Sequence, residues 1–160
     1  MKKVLGMIFA LLLFVTGCSS DEKKYVFVFN TNGGSEINNE NLTIKEMSEK
    51  KYLEPRKEGY DFEGWYVDEG LNMRFTDIYK PKENTVNLYA KYTINDYLLK
   101  IENNNGEKSS QVQLKYGDTI EVSEPQKKGY TFAGWYIDKE LTETFEYNTM
   151  PAKDISIYAK

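Results

Sequence analysis

The chain has 160 residues, 25 of them acidic and 21 basic, a formal charge of −4, and no histidine. Aromatic residues make up 14% of it, including 13 tyrosines, and that much ring area argues against disorder because it can offset chain entropy on burial. The absence of histidine removes the commonest general base and metal ligand, and a single cysteine excludes an internal disulfide and any cysteine-based zinc cluster.

The first segment, "MKKVLGMIFALLLFVTGCSS", pairs a basic start at Lys2 and Lys3 with an apolar run over Val4–Val15. Twelve residues are too few to cross ~30 Å of hydrocarbon comfortably but suit a signal peptide. The run ends in Val15-Thr16-Gly17-Cys18, which resembles a bacterial lipobox. The resemblance implies a signal peptide over 1–17, lipidation of Cys18 and a polar tether over 18–24, "SSDEKK" forming most of it. The expected location is the extracytoplasmic face of the cell membrane, held by the lipid. Removing Lys2 and Lys3 takes the charge to about −6, a surface that nucleic acid and anionic lipid repel, so no nucleic-acid partner is expected.

Downstream, the chain overlays on itself. "GYDFEGWYVD" at Gly59–Asp68 and "GYTFAGWYID" at Gly129–Asp138 agree at seven of ten positions, 70 residues apart. Pro55 and Pro125 precede them, Leu71 and Phe75 match Leu141 and Phe145, and "LYAK" at Leu88–Lys91 matches "IYAK" at Ile157–Lys160. Two modules follow, 25–92 and 97–160, joined by "TIND", which reaches at most ~14 Å and so keeps them at or near contact.

In chain order, Tyr25–Asn30 alternates aromatic residues with Val26 and Val28, which predicts a strand covered on both sides. "NTNGG" predicts a tight hairpin after it. "TIKEMSEKKYL" holds Thr43-x-x-Glu46, a capping-box spacing that reads as a short helix within 43–53, with a poorly alternating strand as the other reading. In the second module Val112, Leu114 and Tyr116 mark a strand, Gly117-Asp118 a turn, and Ile120 and Val122 a further extended piece. In each decapeptide a bulge at Gly64 or Gly134 would shift the side-chain phase by one, turning Phe62, Trp65 and Val67 inward, and likewise Phe132, Trp135 and Ile137. Final strands are expected at about Thr85–Tyr92 and Asp154–Ala159.

Strand, N-x-G-G turn, proline, G-Y-x-F-x-G-W-Y, a further aromatic, proline and L-Y-A-K together resemble the Listeria–Bacteroides repeat, also called the internalin-type B repeat. The resemblance covers nearly all of the chain after Cys18. It implies a mainly β (α+β) fold of two tandem, small, β-grasp-like modules, of a kind found in bacterial surface and secreted proteins. The second module departs from it, with "NNNG" for "TNGG" and no aromatic after Lys160 to match Tyr92, so its last strand is expected to fray.

Phe62, Trp65, Phe132 and Trp135 are the expected structural core, because a module this small without a staple needs its largest apolar groups inside. Tyr66 and Tyr136, turned outward by the same phase argument, are candidate partner-binding residues, and Tyr89 and Tyr158 are similar candidates. Asp68 and Asp138 recur, but Glu69 and Glu140 do not align, so solvated turns are favoured over a calcium site. Arg56-Lys57 and Lys127-Lys128 make at most a weak anion patch, with solvated turns again favoured. No G-x-S-x-G, P-loop or G-x-G-x-x-G is present, and no carboxylate pair repeats at a fixed spacing. The functional expectation is a non-catalytic, lipid-anchored surface lipoprotein, without cofactor or metal, that binds a protein or glycan partner or acts as a spacer. The rival readings are a structural accessory subunit of an envelope complex and a surface enzyme.

Overall fold

A computed structural model describes residues 22–160. Residues 1–17 and Cys18, with most of the tether, lie outside the described residues. Eight strands form two four-stranded sheets, one per module. The first sheet is built from β1 (Tyr25–Asn30), β2 (Glu40–Leu42), β3 (Tyr60–Tyr66) and β4 (Thr85–Ile94), in the spatial order β2-β1-β4-β3. The second uses β5 (Asp96–Glu102), β6 (Ser110–Lys115), β7 (Trp135–Tyr136) and β8 (Ile155–Ala159), in the equivalent order β6-β5-β8-β7. In both, the first strand runs parallel to the last and antiparallel to the second, while the third pairs antiparallel with the last. No helix among the described residues is long and apolar enough to cross a membrane.

β1 presents Phe27 to the core, fully buried, but Val26 on its other face is 42% exposed. The strand is therefore covered on one side, not on both. The "NTNGG" segment does make a tight turn, with the Gly34 N–H donating to the Thr31 carbonyl (2.9 Å) and positive φ at Asn32 and Gly33. It does not close a hairpin, because the chain runs on to Glu40 before pairing back on β1. The capping-box reading holds. Thr43 caps α1 (Ile44–Glu49): its hydroxyl accepts from the Glu46 N–H (3.1 Å), and the Glu46 carboxylate accepts from the Thr43 N–H (2.7 Å). A 3-10 turn, Lys51–Leu53, follows. Together they lay Met47 and Leu53 over the core.

β3 carries the bulge. Phe62 pairs with Tyr92 but Gly64 pairs with Lys91, leaving Glu63 as the extra residue. Gly64 has φ 149°, and a Cβ there would press on the Arg74 guanidinium. The phase shift puts Trp65 in the core, 7% exposed, with Phe62 and Val67 packed against it. Its indole N–H donates to the Leu53 carbonyl (2.9 Å), so the ring is buried without an unpaired polar atom.

The second module repeats the topology with a thinner core. Nine buried residues form the first core cluster; Leu99, Met150 and Ile157 alone form the second, with Trp135, Phe145, Leu114 and Ile120 half-buried around them. No helix covers this sheet: Ile120 and Val122 pack on the core from a piece of chain outside the sheet, held by the Thr119–Thr149 bridge and by the Ile120 N–H on the Asn148 carbonyl (3.0 Å). β7 is also short. Tyr60–Phe62 of β3 pair with Tyr92–Ile94 of β4, and among the described residues β7 pairs with β8 at Trp135 and Tyr136. β8 itself is held to its end, with the Lys160 N–H on the Gly134 carbonyl (3.0 Å) and the Ala133 N–H on the Lys160 carbonyl (2.8 Å).

"TIND" is not a linker. β4 continues through Ile94 and β5 begins at Asp96, so Asn95 alone lies between the sheets. Its N–H donates to the Gly59 carbonyl (2.9 Å), its carbonyl accepts from the Tyr116 N–H (2.9 Å), and its side-chain amide donates to Asp61 (3.1 Å).

Candidate functional site

The bulge that turns Trp65 inward turns Tyr66 outward. Tyr66 lies directly opposite Tyr89, whose neighbours Leu88 and Ala90 are buried, so both tyrosines stand on the face of the sheet away from the core. Asn30 extends the row onto β1. The second module builds the same row: Tyr136 lies opposite Tyr158, and Glu102 sits beside it on β5. Sequence alone placed the four candidate tyrosines outward one at a time; the sheets bring them together two by two.

A lysine caps each pair. Lys91 Nζ lies 5.0 Å from the Tyr66 ring centre, and Lys160 Nζ lies 4.7 Å from that of Tyr136. Lys91 is also ion-paired with Glu63 (3.3 Å), which together with Tyr66 raises its pKa above the ordinary lysine value. The Tyr89 hydroxyl donates to Glu69 (3.3 Å), and partial burial followed by that carboxylate's charge pushes its pKa up. Lys160 instead donates to the Leu141 carbonyl (3.3 Å). All four tyrosines are half-buried, so each row is a ridged, partly covered surface rather than an open ring platform.

The residues taken as core divide by module. Trp65 is buried and Phe62 packs on it with ring centres 5.3 Å apart. Trp135 is half-buried against the second core, and Phe132 lies outside that cluster, resting on Trp135 with ring centres 5.4 Å apart. Among the described residues Phe132 thus packs on the rim of the second core rather than in it.

The recurring acids and bases are employed in holding turns. The Asp68 carboxylate accepts from the Asn72 and Met73 N–H groups, and Asp138 from those of Thr142 and Glu143, each closing a turn in which Leu71 or Leu141 has positive φ. These N–H donors hold both carboxyls below the ordinary aspartate value. Lys57 donates to the Asn32 carbonyl (2.9 Å) and Lys127 to that of Asn104 (2.6 Å), so neither is a merely solvated turn residue. The turn asparagines reach across in turn, Asn32 to the Ala90 carbonyl (2.7 Å) and Asn104 to that of Ala159 (2.8 Å).

A concavity of about 690 Å³ lies beside Trp65, lined by Lys50, Glu54, Glu63, Arg74 and Asp77 among others. Glu63 accepts from Thr93 and pairs with Lys91, contacts that hold its carboxyl below the ordinary value, the reverse of what a general acid requires. Among the described residues, no group of three or more acidic or cysteine side chains is arranged to hold a metal ion. Sequence reading did not single out Tyr130, which is 73% exposed.

Twin mixed sheets with the same strand order, each carrying the decapeptide on its third strand, define a tandem-repeat β protein. The chain belongs to the Listeria-Bacteroides repeat domain family, whose family model matches residues 25–91 and again 101–160. It is 37% identical over 85% of its length to a protein named as a membrane protein in Evansella cellulosilytica, covering 21% of that protein. It is 38% identical over 85% of its length to one named as a Gly-rich membrane protein of the same organism, covering 16% of it. It is also 36% identical over 69% of its length to Internalin H of Listeria monocytogenes, covering 21% of that protein. The chain thus spans about a fifth or less of the length of these relatives.

Proposed function

We propose that this chain is a non-catalytic, lipid-anchored surface protein whose two modules present a binding face to a protein or glycan partner outside the cell. The observation that carries the reading is the tyrosine row capped by lysine, built twice on the face of the sheet turned from the core. Tyrosine, with a cation held over its ring, is a side chain that anchors interfaces, and a rigid sheet holds it with little entropy left to lose. The repeated acids and bases hold turns, and Glu63 is held as a carboxylate, which favours binding over bond-breaking chemistry. Names of relatives that include "membrane protein" support the membrane assignment. Cys18 behind its apolar run supplies the anchoring residue.

Two measurements test this. Cys18→Ser should release the protein from the membrane fraction and abolish incorporation of labelled palmitate; unchanged retention would rule out the lipid anchor. A photo-crosslinking residue at position 66 or 136 in intact cells should give a discrete adduct that one at exposed Asp77 does not. Equal labelling from all three positions would remove the tyrosine rows as the binding face.

A further inference from the structure

Among the described residues β6 pairs with β5 alone, so its other side is an outer edge of the second sheet. The ladder fixes which backbone groups face that edge. The Tyr116 N–H donates to the Asn95 carbonyl (2.9 Å). In an antiparallel ladder alternate residues point the same way, so Ser110, Val112 and Leu114 also turn their backbone groups to β5. Gln111, Gln113 and Lys115 turn theirs outward. Asp118 takes both of Lys115's: its carboxylate accepts from the Lys115 N–H (2.9 Å), and its own N–H donates to the Lys115 carbonyl (3.0 Å). The outward N–H and carbonyl groups of Gln111 and Gln113 have no partner among the described residues.

Such an edge is a template for pairing, and β6 lacks the usual protections against it. Its counterpart β2 is three residues long, carries Glu40 and runs straight into Thr43, the cap of α1. β6 is six residues long, pairs with β5 without a bulge and holds no proline. Its one charged residue, Lys115, is ion-paired with Asp96 (3.2 Å). Val112 lies opposite buried Leu99, hence on the core face, yet it is 40% exposed.

We propose that β6 pairs with β6 of a second copy of this chain, antiparallel, about a two-fold axis through Val112. In that register Gln111 of each copy lies opposite Gln113 of the other. The two pairs exchange backbone hydrogen bonds in both directions, using every outward group left on the strand. An axis through Gln113 would instead set Gln111 against Lys115, whose N–H and carbonyl Asp118 already holds. This fit of the strand to itself selects a second copy as the occupant. The two Val112 side chains meet across the axis and join the exposed rims of two thin cores. The sheets merge in the order β7-β8-β5-β6-β6-β5-β8-β7, with the Tyr136–Tyr158 row of each copy on the same face. The pairing edge is separate from those rows and stands whether or not they bind a partner.

The test uses the purified full chain carrying Cys18→Ser, which removes the native thiol. Sedimentation should show a concentration-dependent equilibrium between monomer and dimer. Val112→Lys, a change at an exposed side chain, sets like charges face to face at the axis and should weaken the dimer about tenfold or more. Under mild oxidation Val112→Cys should trap a covalent dimer, because residues facing across the axis have Cα atoms about 4.5 Å apart, within disulfide reach. Gln113→Cys should not, its Cα atoms lying roughly 9 Å apart, past the limit of about 7 Å. A monomer at every concentration, a dimer that Val112→Lys leaves unchanged, or trapping at 113 equal to or above that at 112 would each overturn the proposal.

Discussion

The ring of Tyr116, at the end of β6 in the second module, lies over Gly59 at the head of β3 in the first. The fit needs glycine twice: Gly59 is buried with φ 74°, and a Cβ would overlap the tyrosine ring. Tyr116 also meets Tyr60 edge-on with ring centres 6.0 Å apart. With Asn95 bonded to both sides, this contact joins the modules into one body rather than two beads on a tether.

Gly59→Ala should therefore cost more than Gly129→Ala. Both positions have φ near 80°, which costs a non-glycine residue about 1 kcal/mol or more, but only Gly59 has a ring against it. Thermal unfolding of the two variants should show the larger drop for Gly59→Ala. Equal drops would mean that Tyr116 moves aside freely.

Tyr116→Ala should leave each sheet intact and loosen their relative orientation. Residual dipolar couplings of the wild type should fit one alignment tensor for both modules, and those of the variant should need two. A single tensor for the variant would place the rigidity in Asn95 alone.

Trp65→Ala should destabilise the first module by about 3–5 kcal/mol, the range for emptying a buried aromatic site, with the indole hydrogen bond to Leu53 also lost. Trp135→Ala should cost less, because that ring is half-buried over a smaller core. Denaturant titration followed by far-UV circular dichroism checks the ranking, and reversal of it would contradict the asymmetry of the two cores.

Thr43→Ala removes one half of the capping box and should cost about 1 kcal/mol in the first module. Hydrogen exchange at residues 45–49 should accelerate more than exchange in β3. Unchanged exchange there would show that packing of Met47 alone holds the helix.

Acid should loosen the turns after β3 and β7. Asp68 and Asp138 have pKa values lowered in the folded chain, so the folded state binds fewer protons than the unfolded one, and lowering the pH favours unfolding. Their contribution is complete above the unfolded aspartate value of about 3.9 and fades as pH falls through the lower folded value. The variant Asp68→Asn/Asp138→Asn should show a shallower loss of stability between pH 5 and pH 2, where both figures are approximate bounds of that window. An unchanged slope would assign the acid sensitivity to other carboxylates, Glu63 and Glu46 first.

What was legible in the sequence was local or repeated. The capping box reads from four residues because a helix end is settled within one turn. The inward set of Trp65 and Phe62 reads from period two with a glycine at the phase break, because a strand's two faces differ in solvent. The 70-residue repeat announced two like sheets. Each of these depends on neighbours in the chain or on a copy of itself.

Tertiary structure alone decided what lies opposite what. Tyr66 meets Tyr89, and Tyr136 meets Tyr158, because the third and fourth strands of each sheet pair in one register. "TIND" read as the join because it falls between the two repeat copies; β3 opposite and Asn95's bonds to Gly59 and Tyr116 draw it into the strands. The seat of Tyr116 on Gly59 joins residues 57 positions apart, and composition cannot say which glycine will be covered and which left bare. A chain specifies its own periodicity residue by residue, but the partner across a sheet is chosen only when distant segments compete for the same backbone hydrogen bonds and the same apolar surface.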